Sequence, residues 1–209
     1  MHKLLTRLLL AAMLLPVLPA MSQDNSGRTS CLFRLDYHYG EINPWLFYER
    51  PLAKNVGLSA VFQMSSQGYA QIDLGPAFHI GNLALIPMAG VEFVEAGNKG
   101  ARVGHICPEF FVFYNSPQWT FESQNLYFVK VLDETYSNRY YYRHYLGHRL
   151  YGDSFIGPQL EGYIFPEDGP DHYLGAHLDV SAGVGLIGLF YGLNRDDHGI
   201  FRLTFLRGF

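Results

Sequence analysis

The last twelve residues, HGIFRLTFLRGF (198–209), set Phe201, Leu203, Phe205 and the terminal Phe209 on one parity, with Arg202 and Thr204 on the other. Successive side chains of a strand point to opposite faces, so this is a strand with one apolar face. Chain ends are ordinarily polar and frayed unless something ties them down. An apolar stripe that runs to the final carboxylate therefore calls for an apolar environment outside the strand.

The same alternation recurs upstream. In FRLDYHY (33–39), Phe33, Leu35, Tyr37 and Tyr39 oppose Arg34, Asp36 and His38. In QIDLGPAFHI (71–80), Ile72, Leu74, Phe78 and Ile80 oppose Gln71, Asp73 and His79, and in YLGAHLDVSA (173–182) Leu174, Ala176, Leu178 and Val180 oppose His177, Asp179 and Ser181. No stretch beyond the N-terminus combines a sustained 3.6-residue period with helix caps. Turn signals separate the runs: KNVG (54–57), SSQG (65–68), IGN (80–82), AGNKG (96–100), NSP (115–117), YGDS (151–154), EDGPD (167–171) and NRDDHG (194–199). Strands punctuated in this way form an antiparallel meander. About twelve strands are expected, with the passage SAGVGLIGLFYG split near 182–184. Pro76, Pro87, Pro108 and Pro158 fall inside strands, where a proline removes a ladder donor, so bulges are expected there. Strand breaks at these sites would instead give ten strands.

Composition narrows the class. The chain has 209 residues, the size of one domain, and is 48% hydrophobic. Its formal charge is -4; removing the first 22 residues, which hold Lys3 and Arg7 and no acids, leaves 13 minus 19, or -6. An acidic balance repels phosphate backbones, so nucleic acid is not an expected partner. Residues 1–22 run from a basic start through an apolar stretch at about Leu8–Leu18 to small residues at Ala20 and Ser22, the order of a secretory signal peptide, leaving 23–209 as one β-barrel domain. Cys31 and Cys107 permit one disulfide but are read first as packing residues.

The faces decide the solvent. A soluble barrel points its apolar parity inward and surrounds it with charge, yet charged residues make up only 16% of this chain against roughly 25% in ordinary globular domains. Aromatic residues of the apolar parity, among them Tyr37, Tyr39, Tyr114, Trp119 and Tyr191, cluster near turns, as membrane-interface girdles require. In hydrocarbon every backbone polar group must be paired internally, and strands achieve that only in a closed barrel. The expected fold is all-β: a closed antiparallel up-and-down transmembrane β-barrel.

With an exported start, alternating strands, tight turns on alternate connections and a final amphipathic strand ending on Phe209, the chain resembles the bacterial outer-membrane β-barrel proteins, the porin-like class, over its whole mature length. The resemblance implies the outer membrane of a Gram-negative bacterium, outer-membrane lipid as surroundings, and pairing of the last strand with the first. It also implies that Phe201, Leu203, Phe205 and Phe209 are read by the barrel-assembly machinery. With both termini in the periplasm, the turns at KNV, IGN, NSP, YGDS and SAGVG are periplasmic and the remaining connections are external.

The other parity is then the lumen wall. It carries Arg34, Asp36 and His38; Asp73 and His79; Glu92; His105 and Glu109; Glu122 and Lys130; and Glu161, His177, Asp179 and Arg202. Buried charges must be paired or hydrated, so the lumen is either a salt-bridged, closed structure or a narrow channel for small solutes, mildly acidic in balance. Arg34 and Arg202 are expected to meet at closure, with Asp36 and Asp179 compensating them. Arginine in place of the lipid-facing Leu203 is expected to be costly, and at the lumenal Thr204 much less so. The alternative is a lipid-modifying or proteolytic barrel enzyme with Asp171, His172, Asp196, Asp197 and His198 at the outer rim. GVGLIG (183–188) lacks the βαβ context of a dinucleotide site, GDS (152–154) lies in a turn, and HYLGH (144–148) lacks the glutamate of a metalloprotease. No cofactor or metal is expected, and no residue is assigned a catalytic role. N-terminal sequencing of the membrane-extracted protein should begin at Met21 or Gln23; a mature protein that starts at Met1 contradicts the export reading.

Overall fold

The computed structural model describes residues 29–38, 40–94, 102–131, 137–183 and 185–208. The segment 1–22, Tyr39, the AGNKG connection and Phe209 lie outside them, so the expectations placed there concern residues that are not described. Twelve strands follow in order: β1 (Ser30–His38), β2 (Glu41–Ala53), β3 (Val56–Met64), β4 (Ala70–Ile80), β5 (Leu83–Val94), β6 (Arg102–Asn115), β7 (Trp119–Lys130), β8 (Arg139–Tyr151), β9 (Ser154–Phe165), β10 (Gly169–Ser181), β11 (Leu186–Leu193) and β12 (Gly199–Gly208). Each pairs antiparallel with its chain neighbours, and β12 returns to β1 with partners running from Leu32 opposite Gly208 to Tyr37 opposite Leu203. The sheet is a closed barrel, so no strand edge is left unpaired. No helix occurs among the described residues.

The even strand number puts both ends of the barrel sequence, Ser30 and Gly208, at the same rim. Connections at that terminal rim, residues 54–55, 81–82, 116–118, 152–153 and 182–185, are short. Gly81 (φ 59°) and Gly152 (φ 54°) occupy the left-handed region that such tight turns demand and that only glycine adopts without steric cost. The strand ends Val94 and Arg102, and Lys130 and Arg139, stand at the opposite rim.

Two expectations are corrected. The ten-strand alternative does not form. Nor do bulges mark the four prolines: the register shifts fall at Pro51/Ala53, Glu92/Phe93 and Arg149/Tyr151. Pro76 and Pro87 instead stand opposite one another, between the partner pairs Leu74–Ala89 and Phe78–Leu85, and the ladder skips this stretch without changing register. Pairing one donor-less residue with another confines the loss to a single place in the sheet. Around Pro108 and Pro158 the ladder likewise skips and resumes in register.

The barrel is apolar outside and polar inside. Ile72 (43% exposed), Leu74, Phe78 and Ile80 stand outward on β4 while Gln71 and Asp73 are buried on its inner face. Tyr114 and Trp119 flank the terminal-rim turn between β6 and β7, and Tyr37 and Tyr191 stand outward near the opposite rim. An outer surface of this kind has no stable solvation in water, whereas an apolar band with aromatic borders suits a bilayer.

Thr204 is a lumenal position and a packed one. Its hydroxyl donates to Asp36 at 2.6 Å and the side chain is buried, so arginine there would overfill the interior and crowd a third cation against Arg34 and Arg202. Leu203 stands outward near the middle of β12. Leu203→Arg should lower the unfolding free energy by about 2–4 kcal/mol, read by urea titration of heat-modifiable gel mobility. Unchanged stability contradicts the lipid-facing assignment.

Candidate functional site

The inner face follows from register. Starting at Arg202 on β12, inward positions pass through Phe190 and His177 around β11 and β10, and through Asp36 and Asn43 around β1 and β2. Every charged residue expected on the lumen wall has this parity. Contacts across the barrel verify the direction: Arg34 on β1 donates to Glu122 on β7 at 3.2 Å, and these strands are diametrically opposite in a ring of twelve.

Arg202 is the hub. Only 1% exposed, it clasps Glu161 on β9 with two parallel bonds, Nε to Oε2 at 3.0 Å and Nη2 to Oε1 at 3.1 Å. It also donates from Nη1 to Asp36 Oδ2 at 3.1 Å and from Nη2 to the Tyr141 hydroxyl at 3.2 Å. Asp36 in turn accepts from Arg34 Nε at 3.0 Å, and Glu122, reached by Arg34, also pairs with Arg143 on β8. The result is an alternating chain, Glu161–Arg202–Asp36–Arg34–Glu122–Arg143, with three acids and three bases, that crosses the lumen. Four of the six, Asp36, Arg143, Glu161 and Arg202, are buried, and Arg34 and Glu122 are half-buried. Bidentate arginine–carboxylate pairs are the strongest and most directional of ion pairs, and such pairing makes these charges tolerable.

The expected partner Asp179 is not part of this chain. It lies beside His177 (Nε2 to Oδ1, 2.8 Å), whose other nitrogen contacts Gln159, and Gln159 donates to Glu161 at 2.7 Å. Near the opposite rim, Glu92 engages His105 (2.5 Å) and Arg139 (2.7 Å), while Arg139 stacks over Phe128. His79 pairs with Glu49 at 2.6 Å, His38 accepts from Asn43, and Lys130 stands beside His105 in the β6–β7 register. Toward the terminal rim, Val61, Ala77, Ile86, Met88 and Phe111, with Trp45, Phe47 and Phe113 against them, fill one side of the lumen. A cavity of about 220 Å³, lined by Leu32, Phe47, Glu49, His79, Ile86 and Phe113 among others, opens there.

Charge parity leads to most of this wall but passes over its neutral members. Gln71, Gln124, Gln159 and Tyr141 are all buried on the inner face and all hydrogen-bond to charged partners; their inward parity was the available signal. Arg139 and Arg143 carry the same signal. The outer face holds one surprise: Ser123, Asn125, Tyr140 and His144 point outward from β7 and β8 and hydrogen-bond to one another. Although Ser123 Oγ lies 2.9 Å from His144 Nδ1, Asn125 bonds to the serine and not to the imidazole, so the base lacks the orienting partner of a hydrolase triad. At the rim, Asp171 is hydrogen-bonded to Tyr173 and Asn194, while Asp196 and His198 donate their backbone N–H groups to Asn194. Among the described residues, no three His, Cys, Asp or Glu side chains converge on a metal position, and Cys31 and Cys107 are unpaired thiols.

Removing the hub tests the geometry. Arg202→Met leaves Glu161 buried without its cation and Asp36 with Arg34 alone, and should cost about 3–5 kcal/mol of stability, followed by heat-modifiable mobility in urea. A variant as stable as the parent contradicts the assignment of Arg202 as the buried centre of the network.

In sequence the chain matches no known family description and no curated protein. In structure it is similar to the KdgM porin (TM-score 0.52, 12% identity, 86% of this chain and 99% of that one) and to the NanC porin (TM-score 0.54, 12% identity, 85% and 98%). It is also similar to the KdgM porin in complex with disordered oligogalacturonate (TM-score 0.54, 12% identity, 86% and 99%). The chain has a porin-like β-barrel fold.

Proposed function

We propose that this porin-like barrel resides in the outer membrane of a Gram-negative bacterium and is a narrow channel for small hydrophilic solutes, with a mixed-charge lumen held nearly shut by its own ion pairs. The observation that carries this reading is the cross-lumen bridge from Arg34 to Glu122, part of an alternating chain whose members Arg202, Asp36 and Glu161 are buried to 1% exposure or less. In a wide water-filled pore the wall side chains are wet; here they touch each other. Passage therefore requires small solutes and side-chain rearrangement, and conductance is low.

The structural neighbours support a transport role through their fold, and one of them is a complex with an acidic oligosaccharide. The arginines of this lumen are already matched by acids, so the same ligand class does not carry over. The carboxyl groups of Asp73 and Glu109, which are bonded by the amides of Gln71 and Gln124, favour cations over anions at the wall of β4 and β6. A closed barrel that serves only as a structural element is the competing reading, favoured by the tight packing of the wall.

Single-channel recording of refolded protein in planar bilayers separates the two. Under the channel reading the parent gives small, cation-biased steps, and Glu122→Gln, which weakens the bridge between opposite walls, raises the conductance several-fold. Silence from parent and variant alike supports the closed barrel and contradicts the channel.

A further inference from the structure

We propose that Asp73 and Glu109, together with the side-chain amide oxygens of Gln71 and Gln124, form a calcium-binding site in the inner wall across β4, β6 and β7. This inference concerns a bound ion and stands whether or not the barrel conducts. The four side chains are 1–4% exposed. Gln71 Nε2 donates to both oxygens of Asp73, at 2.9 and 3.0 Å, and Gln124 Nε2 donates to Glu109 Oε1 at 3.1 Å. Acceptors are left over: Gln71 Oε1, Gln124 Oε1 and Glu109 Oε2 are all buried without a hydrogen-bond partner. Glu92, opposite Gln71 on β5, is engaged by His105 and Arg139.

Buried unpaired polar atoms are rare because each forfeits its hydration, and three of one kind in one wall define a chemical demand. The surplus is of oxygen lone pairs, so the complement is a cation with no need of nitrogen or sulfur ligands. The shape of the wall agrees. Between β4 and β6, β5 contributes Gly90 opposite Asp73, and a Cβ there would collide with the Asp73 carboxylate and the backbone behind it, so the glycine makes a cradle in which that carboxylate lies against the sheet. Cys107 faces Gly90 from β6, and Glu109 stands two residues further along β6 on the same inward face, which places the two acids on the same patch. Two carboxylates and two amide oxygens on separate strands give the irregular all-oxygen set that calcium accepts, whereas magnesium demands near-octahedral geometry and retains its water. Two carboxylates also balance one divalent charge.

The test is thermal unfolding of refolded, lipopolysaccharide-free barrel in zwitterionic detergent, stripped with EDTA and then melted with millimolar calcium chloride or magnesium chloride. Calcium should raise the transition by about 3 °C or more and magnesium by less, with calorimetry giving one calcium per barrel. Asp73→Asn and Glu109→Gln should each abolish the calcium shift while melting no lower than the parent in EDTA, because each removes a buried charge that lacks a partner. The exposed loop variant Glu167→Gln should keep the full shift. Should an acid variant fail to refold, Gln124→Leu, with both acids intact, must weaken calcium binding. A parent that ignores calcium, a shift retained in the acid variants, or full calcium affinity in Gln124→Leu overturns the proposal.

Discussion

The two-bond clasp of Arg202 on Glu161, shared with Asp36, is the contact on which the interior depends. It joins the last strand to β9 and to the first strand, so it secures the closure of the barrel from within while the β1–β12 ladder secures it from the backbone. Arg202 could not occupy the neighbouring positions. A slip of one residue between β12 and β1 would turn it into the apolar exterior and bring Leu203 inside, because strand side chains alternate. The ion-pair chain thus specifies register. Its net contribution to stability is small beside its cost when broken, since a lone charge in that interior has neither water nor a partner.

The exterior imposes the complementary constraint. Lipid offers no hydrogen bonds, so the sheet must close, and it must do so even where prolines withhold donors. Placing Pro76 opposite Pro87 answers this by letting one missing rung serve two residues. The outward polar set of Ser123, Asn125, Tyr140 and His144 answers it differently, each group finding its partner within the set. Both solutions limit the unmatched polar groups on the hydrocarbon side, which leaves the lumen as the place where polar chemistry can be displayed.

Much of this was legible in the chain. Alternation in FRLDYHY and QIDLGPAFHI fixed which side chains face in, and turn chemistry located all five terminal-rim connections, including the one at 182–185. Partners across the lumen were not legible. Asp179 and Glu161 share the parity of Arg202, and only the strand stagger decides that the glutamate lies within reach and the aspartate beside His177. The prolines misled because a bulge is the usual remedy for a lost donor, and nothing local to Pro76 reveals that Pro87 stands opposite. Gln71 and Gln124 carry no charge, yet on the lumen parity a buried amide has the same meaning as a charge. Thr204 shows a related limit: parity places it inside without revealing how tightly the inside is filled.

The central claim is that a membrane surrounds the odd-numbered side chains of β12 and a packed polar interior holds the even-numbered ones. Nitroxide scanning of residues 200–205, one label at a time in protein reconstituted in bilayers with Cys31 and Cys107 replaced, reads this directly. Labels at 201, 203 and 205 should collide freely with oxygen dissolved in lipid and not with a water-soluble nickel chelate. Labels at 200, 202 and 204 should be poorly accessible to both. Chelate access at 201 or 203, or the absence of any two-residue period, would contradict the account.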